Sequence, residues 1–338
     1  MFLVCLTGLC VYPQESAAAA GEALRICGVT VIPALFPFFV LTRLLTAFLG
    51  HVQTPKFLQN FMARFFGVDG ICLSALLLSF LGGYPVGVSC VVSLYEGGLI
   101  TKKDANRSLL FCNNSGPAFF VAVLGSAVLE DVRLGLILFL IHILAALLVG
   151  RLFCTDTLHA VKTKELPKEE LPASGQFLDA ISSSCTALLQ ISGLIVFFSV
   201  ILSLLESAGL FTFIEEFALL GLTGEEYCAL ISGTLELTGG ILQVGDSPNA
   251  AVLAAFIMGW GGLCVHFQAM SLWHKASLHP KGYFLSKLLH GLISAVLAYC
   301  FLQNRPTHYV FAFSIMLLLL SLPKFLRKWG RKKAPHAV

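Results

Sequence analysis

Long apolar runs alternate with short polar interludes along the whole chain, and the length of the runs sets the first expectation. A helix needs about 20 apolar residues to cross a hydrocarbon core. Windows of that order run from Gly28 to Gly50, Gly70 to Leu94, Leu109 to Leu129, Leu134 to Val149, Ala180 to Leu205, Tyr227 to Val244, Ser247 to Trp273, Leu288 to Leu302 and Tyr309 to Leu322. They predict an all-α polytopic integral membrane protein with roughly 8 to 10 membrane helices, two or three of them short or broken. The opening MFLVCLTGLCVY, followed by PQESAAAA, lacks the positive n-region of a signal peptide and reads as a short first membrane helix.

The windows are not uniform. Gly82-Gly83-Tyr84-Pro85 interrupts an uncharged stretch from Gly70 to Leu94. Proline removes a backbone donor and clashes with the preceding turn, and paired glycines ease non-helical dihedrals, so the helix should break there. In lipid an unsatisfied peptide group costs several kcal/mol, so such a break is tolerated only where protein or a water-filled cavity serves it. Asn113-Asn114-Ser115-Gly116-Pro117 places two carboxamides and a hydroxyl beside a second breaker, in a window uncharged from Ser108 to Leu129. Intramembrane polar groups of this kind face a bundle interior or a solute pathway.

The halves echo each other. A polar loop, TDTLHAVKTKELPKEELPASGQ, separates them. The reading is a first membrane repeat over 1–154, a connecting loop over 155–178, a second repeat over 179–323 and a basic tail over 324–338. Phe38-Phe39-Val40-Leu41 leads into Leu44-Leu45 as Phe197-Phe198-Ser199-Val200 leads into Leu204-Leu205. The break at Gly82 to Gly87 is answered by Thr234 to Gly240, and Asn113 to Pro117 by Gly259 to Gln268. Inverted repeats with interrupted or re-entrant helices, meeting at a central site, are the architecture this order suggests.

The second half adds ionisable groups. Glu236, with Thr238 and Gly239 beside it, stands in a run without a nearby cation, and His266 and Gln268 follow a glycine-rich turn. A carboxyl and an imidazole are candidates to carry a coupling proton. His142, a lone histidine on an apolar helix, reads as structural. Tyr84 is suited to stack on an aromatic ring or to hydrogen-bond a carboxylate. The candidate solute-binding set is therefore Gly82, Gly83, Tyr84, Pro85, Asn113, Asn114, Ser115, Gly116, Glu236, Thr238, Gly239, His266 and Gln268.

Composition agrees with the membrane reading: of 338 residues, 57% are hydrophobic and 12% charged, against about 25% charged in an average soluble domain. The mean hydropathy is +0.85. The net charge of +3 comes largely from Lys324, Arg327, Lys328, Arg331, Lys332 and Lys333, a cluster that places the C-terminus in the cytoplasm and implies no nucleic-acid partner. The 11 cysteines are scattered, with no Cys-x-x-Cys pair, so neither a metal site nor a disulfide framework is expected. No cofactor is expected. The sequence contains no His-Glu-x-x-His, Gly-x-Ser-x-Gly or Walker motif, so a catalytic role is not expected either.

IPALFPFFVL (Ile32 to Leu41), GGYPVG (Gly82 to Gly87), GLITKKDANRSLLFCNNSGPAFF (Gly98 to Phe120), GTLELTGG (Gly233 to Gly240) and GWGGLCVHFQ (Gly259 to Gln268) together resemble the YlbJ family of sporulation integral membrane proteins, which carry nucleoside-recognition Gate domains. The resemblance implies a multi-pass protein of a sporulating cell's mother-cell (outer forespore) membrane. It also implies movement of dipicolinic acid, a planar aromatic ring with two carboxylates, toward the spore. The Gate label describes ancestry and is weak ground for a nucleoside substrate. The expected partners are the bilayer, a small anionic solute, and a second copy or other sporulation membrane proteins. A non-transporting assembly or signalling factor and a nucleoside transporter are the alternatives.

Overall fold

The computed structural model describes residues 2–49, 55–154, 173–216, 222–245 and 247–303, and the regular elements among them are helices. The basic tail, the window from Tyr309 to Leu322 and most of the polar loop lie outside the described residues. The chain opens with α1 (Phe2–Val11) and α2 (Pro13–Ile26). A proline at the first position of α2 loses no hydrogen bond, because that N–H has no helical acceptor. A π-helical turn over Cys27–Val31 then carries the chain into α3 (Ile32–Leu49).

After the amphipathic α4 (Lys56–Phe65), whose Met62 is buried while Phe57 and Phe61 are exposed, come α5 (Cys72–Gly82), α6 (Val86–Glu96) and α7 (Lys102–Ser108). Thr101 and Asp104 form a reciprocal capping box that starts α7, pairing two otherwise free backbone N–H groups. A π-helical segment, Phe119–Val128, leads to α8 (Val132–Leu152), whose first turn donates to the Asp131 carboxylate.

The second half begins with α9 (Ala173–Ser207), which starts inside the stretch read from sequence as loop. It continues through α10 (Leu210–Glu215), α11 (Gly224–Leu235), α12 (Leu237–Gln243), α13 (Ala250–Trp260), α14 (Gly262–Lys275) and α15 (Tyr283–Gln303). Thr223 and Glu226 repeat the capping box at the start of α11. The Glu226 carboxylate also accepts from the Ser247 hydroxyl and, at 3.0 Å, from the Asn249 amide, tying that corner to the start of α13.

Among the described residues, four segments are long and apolar enough to cross a bilayer: Val132–Leu152, Gly175–Ser207, Ala250–Lys275 and Tyr283–Gln303. Others are shorter apolar helices, among them Cys72–Gly82, Val86–Glu96 and Phe119–Val128. The windows at Gly70 to Leu94 and Tyr227 to Val244 are each a pair of half-helices. The window at Leu109 to Leu129 is an irregular strip followed by a π-helical segment. The protein is an all-α polytopic membrane protein in which part of the apolar length is spent on halves.

Its surface is apolar outward and polar inward. On α15, Leu285, Leu288 and Leu292 are exposed, whereas Ser286, Lys287, His290 and Ser294 are buried. On α8, Leu136, Leu140 and Leu144 form an exposed stripe while His142 is fully buried. With lipid outside, leucine gains little from facing inward, and helices associate through small residues that let backbones approach. A Cβ placed on Gly259 of α13 would stand 2.7 Å from the Cα of Gly291 on α15, and one on Gly87 of α6 would stand 2.0 Å from the carbonyl oxygen of Cys112.

Gly87→Ala should therefore destabilise the purified protein by roughly 1–3 kcal/mol or more, the cost of forcing bulk into a packed contact. Gly193→Ala, in α9 with nothing within 4 Å of the added methyl, should be neutral or stabilising by about 0.5–1 kcal/mol. Thermal unfolding of both variants in one detergent reads the difference; equal midpoints would show that the α6 contact is not tight.

Candidate functional site

Four interruptions of the helical backbone meet in the interior. The first lies between α5 and α6. Gly83 has φ 74°, a left-handed conformation that a side chain would strain. A Cβ there would also stand 3.0 Å from the Gly116 amide nitrogen, which belongs to the second interruption. The second is the strip from Phe111 to Pro117. The third is Glu236, between α11 and α12, and the fourth is Gly261, between α13 and α14, with φ 89°. Tyr84 links the first break to the fourth: its hydroxyl donates to the Met258 carbonyl at 2.6 Å, and a Cβ on Gly261 would meet its phenol at 3.3 Å. Gly262 packs against the Gly233 carbonyl and the Leu237 amide, joining the fourth break to the third.

The polar groups at these breaks are buried. Asn113, Asn114, His142, His266 and Lys287 have no exposed surface, and Ser115, Tyr283 and His290 almost none. The Asn114 amide donates to Ser79 Oγ and to the Phe111 carbonyl, both at 2.8 Å. The Ser115 N–H donates to His142 Nε2 at 3.1 Å, which leaves the proton of that imidazole on Nδ1. The Asn113 amide donates to the Tyr283 hydroxyl at 2.6 Å, so that hydroxyl is free to donate onward to His266 Nδ1, 3.3 Å away.

Lys287 stands at the centre. Its Nζ donates to the Asn113 carbonyl at 2.5 Å and lies 3.0 Å from His290 Nδ1. His290 Nε2 is 3.0 Å from the His142 carbonyl, which can only accept, so Nε2 carries the proton and Nδ1 accepts from Lys287. The same Nζ sits 5.7 Å from the centroid of the Tyr84 ring, within cation–π range, and the His142 and His290 rings lie 4.3 Å apart. Four buried polar atoms among these residues have no partner: Asn113 Oδ1, Asn114 Oδ1, His142 Nδ1 and His266 Nε2. Such atoms are uncommon in a closed interior and are where a guest is to be sought.

A groove of about 390 Å³ lies beside this centre, lined by Met270, Trp273, His279, Lys281, Tyr283 and Phe284 among others. Tyr283 is shared: its body walls the groove and its hydroxyl bonds to Asn113 inside.

Of the residues singled out from sequence, Gly82, Gly83, Tyr84 and Pro85 lie at one break, Asn113 to Gly116 at its neighbour, and His266 joins them through Tyr283. Glu236, Thr238 and Gly239 form a separate corner. The Glu236 carboxylate accepts from the N–H groups of Thr238 (3.0 Å) and Gly239 (2.7 Å), so it caps α12. Gln268 is buried but donates to Cys264 Sγ on its own helix at 3.2 Å. His142, read from sequence as structural, lies inside the cluster. Lys287, His290, Tyr283 and Trp260 are additions. The available signal was Lys287 and His290 at i, i+3 on an otherwise apolar helix, which puts both on one face.

This geometry defines a class: a polytopic α-helical membrane protein whose interrupted helices enclose a buried polar centre. Compared with known proteins, the chain is 28% identical over 316 residues to the sporulation integral membrane protein YlbJ of Bacillus subtilis (strain 168), covering 84% of this chain and 77% of that one. Similarity of this extent supports membership in the YlbJ family, to which the motifs point. No family model and no solved structure matches the chain.

Tyr283→Phe removes the acceptor of the Asn113 amide and leaves a buried donor unserved, which should lower stability by about 1–3 kcal/mol. Thermal unfolding in detergent measures it; a midpoint equal to the parent's would mean that Asn113 finds another acceptor at no cost.

Proposed function

We propose that this chain is a sporulation membrane protein that moves a small anionic aromatic solute across the bilayer, with dipicolinate as the solute its family resemblance implies. In a sporulating cell it would then sit in the mother-cell (outer forespore) membrane. The observation that carries this reading is the set of unpartnered polar atoms on Asn113, Asn114, His142 and His266, around a buried lysine. The chemistry suits a carboxylate beside donor groups: Lys287, His142 Nδ1–H and His266 Nε2–H are donors, Asn113 Oδ1 and Asn114 Oδ1 are acceptors for a protonated group of the solute, and Tyr84 and Trp260 offer ring faces. The groove that reaches Tyr283 is lined by Lys281 and His279, cationic or neutral but never anionic.

The two halves supply the means of movement. α5, a break and α6 correspond in order to α11, a break and α12. α7, the 113–117 strip and the π-helical segment correspond to α13, Gly261 and α14, and an unbroken span, α8 or α15, closes each set. We take the halves to be inverted repeats that rock against each other, so the centre opens to one side and then the other. The bonds from Lys287 and Tyr283 to Asn113, from Tyr84 to Met258 and from His290 to His142 all join one half to the other. Rocking must break and remake some of them.

Proteoliposomes holding the purified chain should accumulate labelled dipicolinate and not a nucleoside, and Asn113→Ala in monodisperse form should slow that uptake by roughly tenfold or more. Movement of the nucleoside alone would replace the solute. Failure of folded protein to move either would leave a non-transporting assembly factor as the reading to pursue.

A further inference from the structure

Lys287 is a buried amine that, among the described residues, no acid reaches. The groups facing it are His290 and Tyr283 from α15, Cys112 and the Asn113 carbonyl from the second break, the Tyr84 ring from the first, His142 from α8 and His266 from α14. None is a carboxylate. A charge withdrawn from water is costly unless an opposite charge meets it.

The hydrogen bonds count the donors that the protein's own groups can serve. An ammonium has three N–H donors and a neutral amine two. Lys287 has two acceptors, the Asn113 carbonyl and His290 Nδ1. A neutral amine satisfies both and keeps a lone pair; an ammonium has one N–H left over. That third N–H has only the Tyr84 ring face, 5.7 Å to its centroid, and a solute carboxylate is the acceptor that would also balance the charge.

We propose that Lys287 takes up one proton from water and the solute's carboxylate together, which makes this chain a proton-coupled anion carrier. The proposal rests on the transport reading above and names its coupling ion. In binding, a proton adds to the amine lone pair, a new N–H bond forms, and the ammonium pairs with the carboxylate. In release, the carboxylate leaves, the N–H bond breaks and the proton returns to water on the other side. No electrons are transferred. Neither charge is stable in the centre without the other, so the two are carried or left together.

The test uses the full purified chain in detergent, with dipicolinate as the probe. Calorimetric titration in two buffers of different ionisation enthalpy counts the protons taken up on binding. The parent should take up about one proton per dipicolinate. Lys287→Gln keeps a neutral donor for the Asn113 carbonyl, so it should fold, bind roughly tenfold or more weakly and take up none. Lys287→Arg, always charged, should bind without proton uptake. Dipicolinate bound by the parent with no proton taken up would overturn the proposal while leaving transport standing, as would unchanged proton uptake in Lys287→Gln. If the folded parent neither binds nor moves dipicolinate, both readings fall.

Discussion

A peptide group stranded in hydrocarbon must find a hydrogen-bonding partner, and that requirement organises the interior of this protein. Breaking a helix frees N–H and carbonyl groups that water cannot reach. Here each break is served by side chains or by another break. The Asn113 carbonyl is met by Lys287, the Ser115 N–H by His142, and the Met258 carbonyl by Tyr84. The Thr234 carbonyl is met by the Trp260 indole, and the first amides of α12 by Glu236. The polar residues of the centre are therefore the condition under which the chain can be non-helical at that depth.

The same requirement explains why the packing is inverted relative to a soluble bundle. Polar and small residues line the inward faces of α8 and α15, and leucines cover the outward ones. Glycines at Gly87, Gly116 and Gly259 let backbones come close enough for the breaks to reach one another. Close approach brings the donors within range; the donors in turn hold the breaks open. Neither works alone, because a looser crossing would leave the carbonyls unserved and a tighter, unbroken one would expose no groups to bind anything.

Much of this was legible in the chain itself. Apolar runs without charges mark the helices, and Gly-Gly-Tyr-Pro and Asn-Asn-Ser-Gly-Pro mark two of the breaks through steric rules that hold anywhere. What escaped was long range. Lys287 looks like a flanking charge when a hydropathy window is drawn from Leu288, because the sequence does not show that the helix begins at Tyr283 and turns this residue inward. Glu236 looks like a lone intramembrane acid until the backbone bends and presents it with the amides two and three residues on. Local pattern reveals where a helix fails, but a neighbour 174 residues away decides what satisfies it.

That separation has a consequence for how the protein is made. The chain is threaded into the membrane in order, so the strip at Asn113 enters long before the helix that carries its partner has been translated. Until α15 arrives, the first half stands in the bilayer with an apolar coat and unserved peptide groups at its heart. A chain halted between the halves would look normal from the lipid side and be defective only within. The arrival of α15 brings Lys287 to the Asn113 carbonyl, Tyr283 to the Asn113 amide and His290 to the His142 carbonyl in one step.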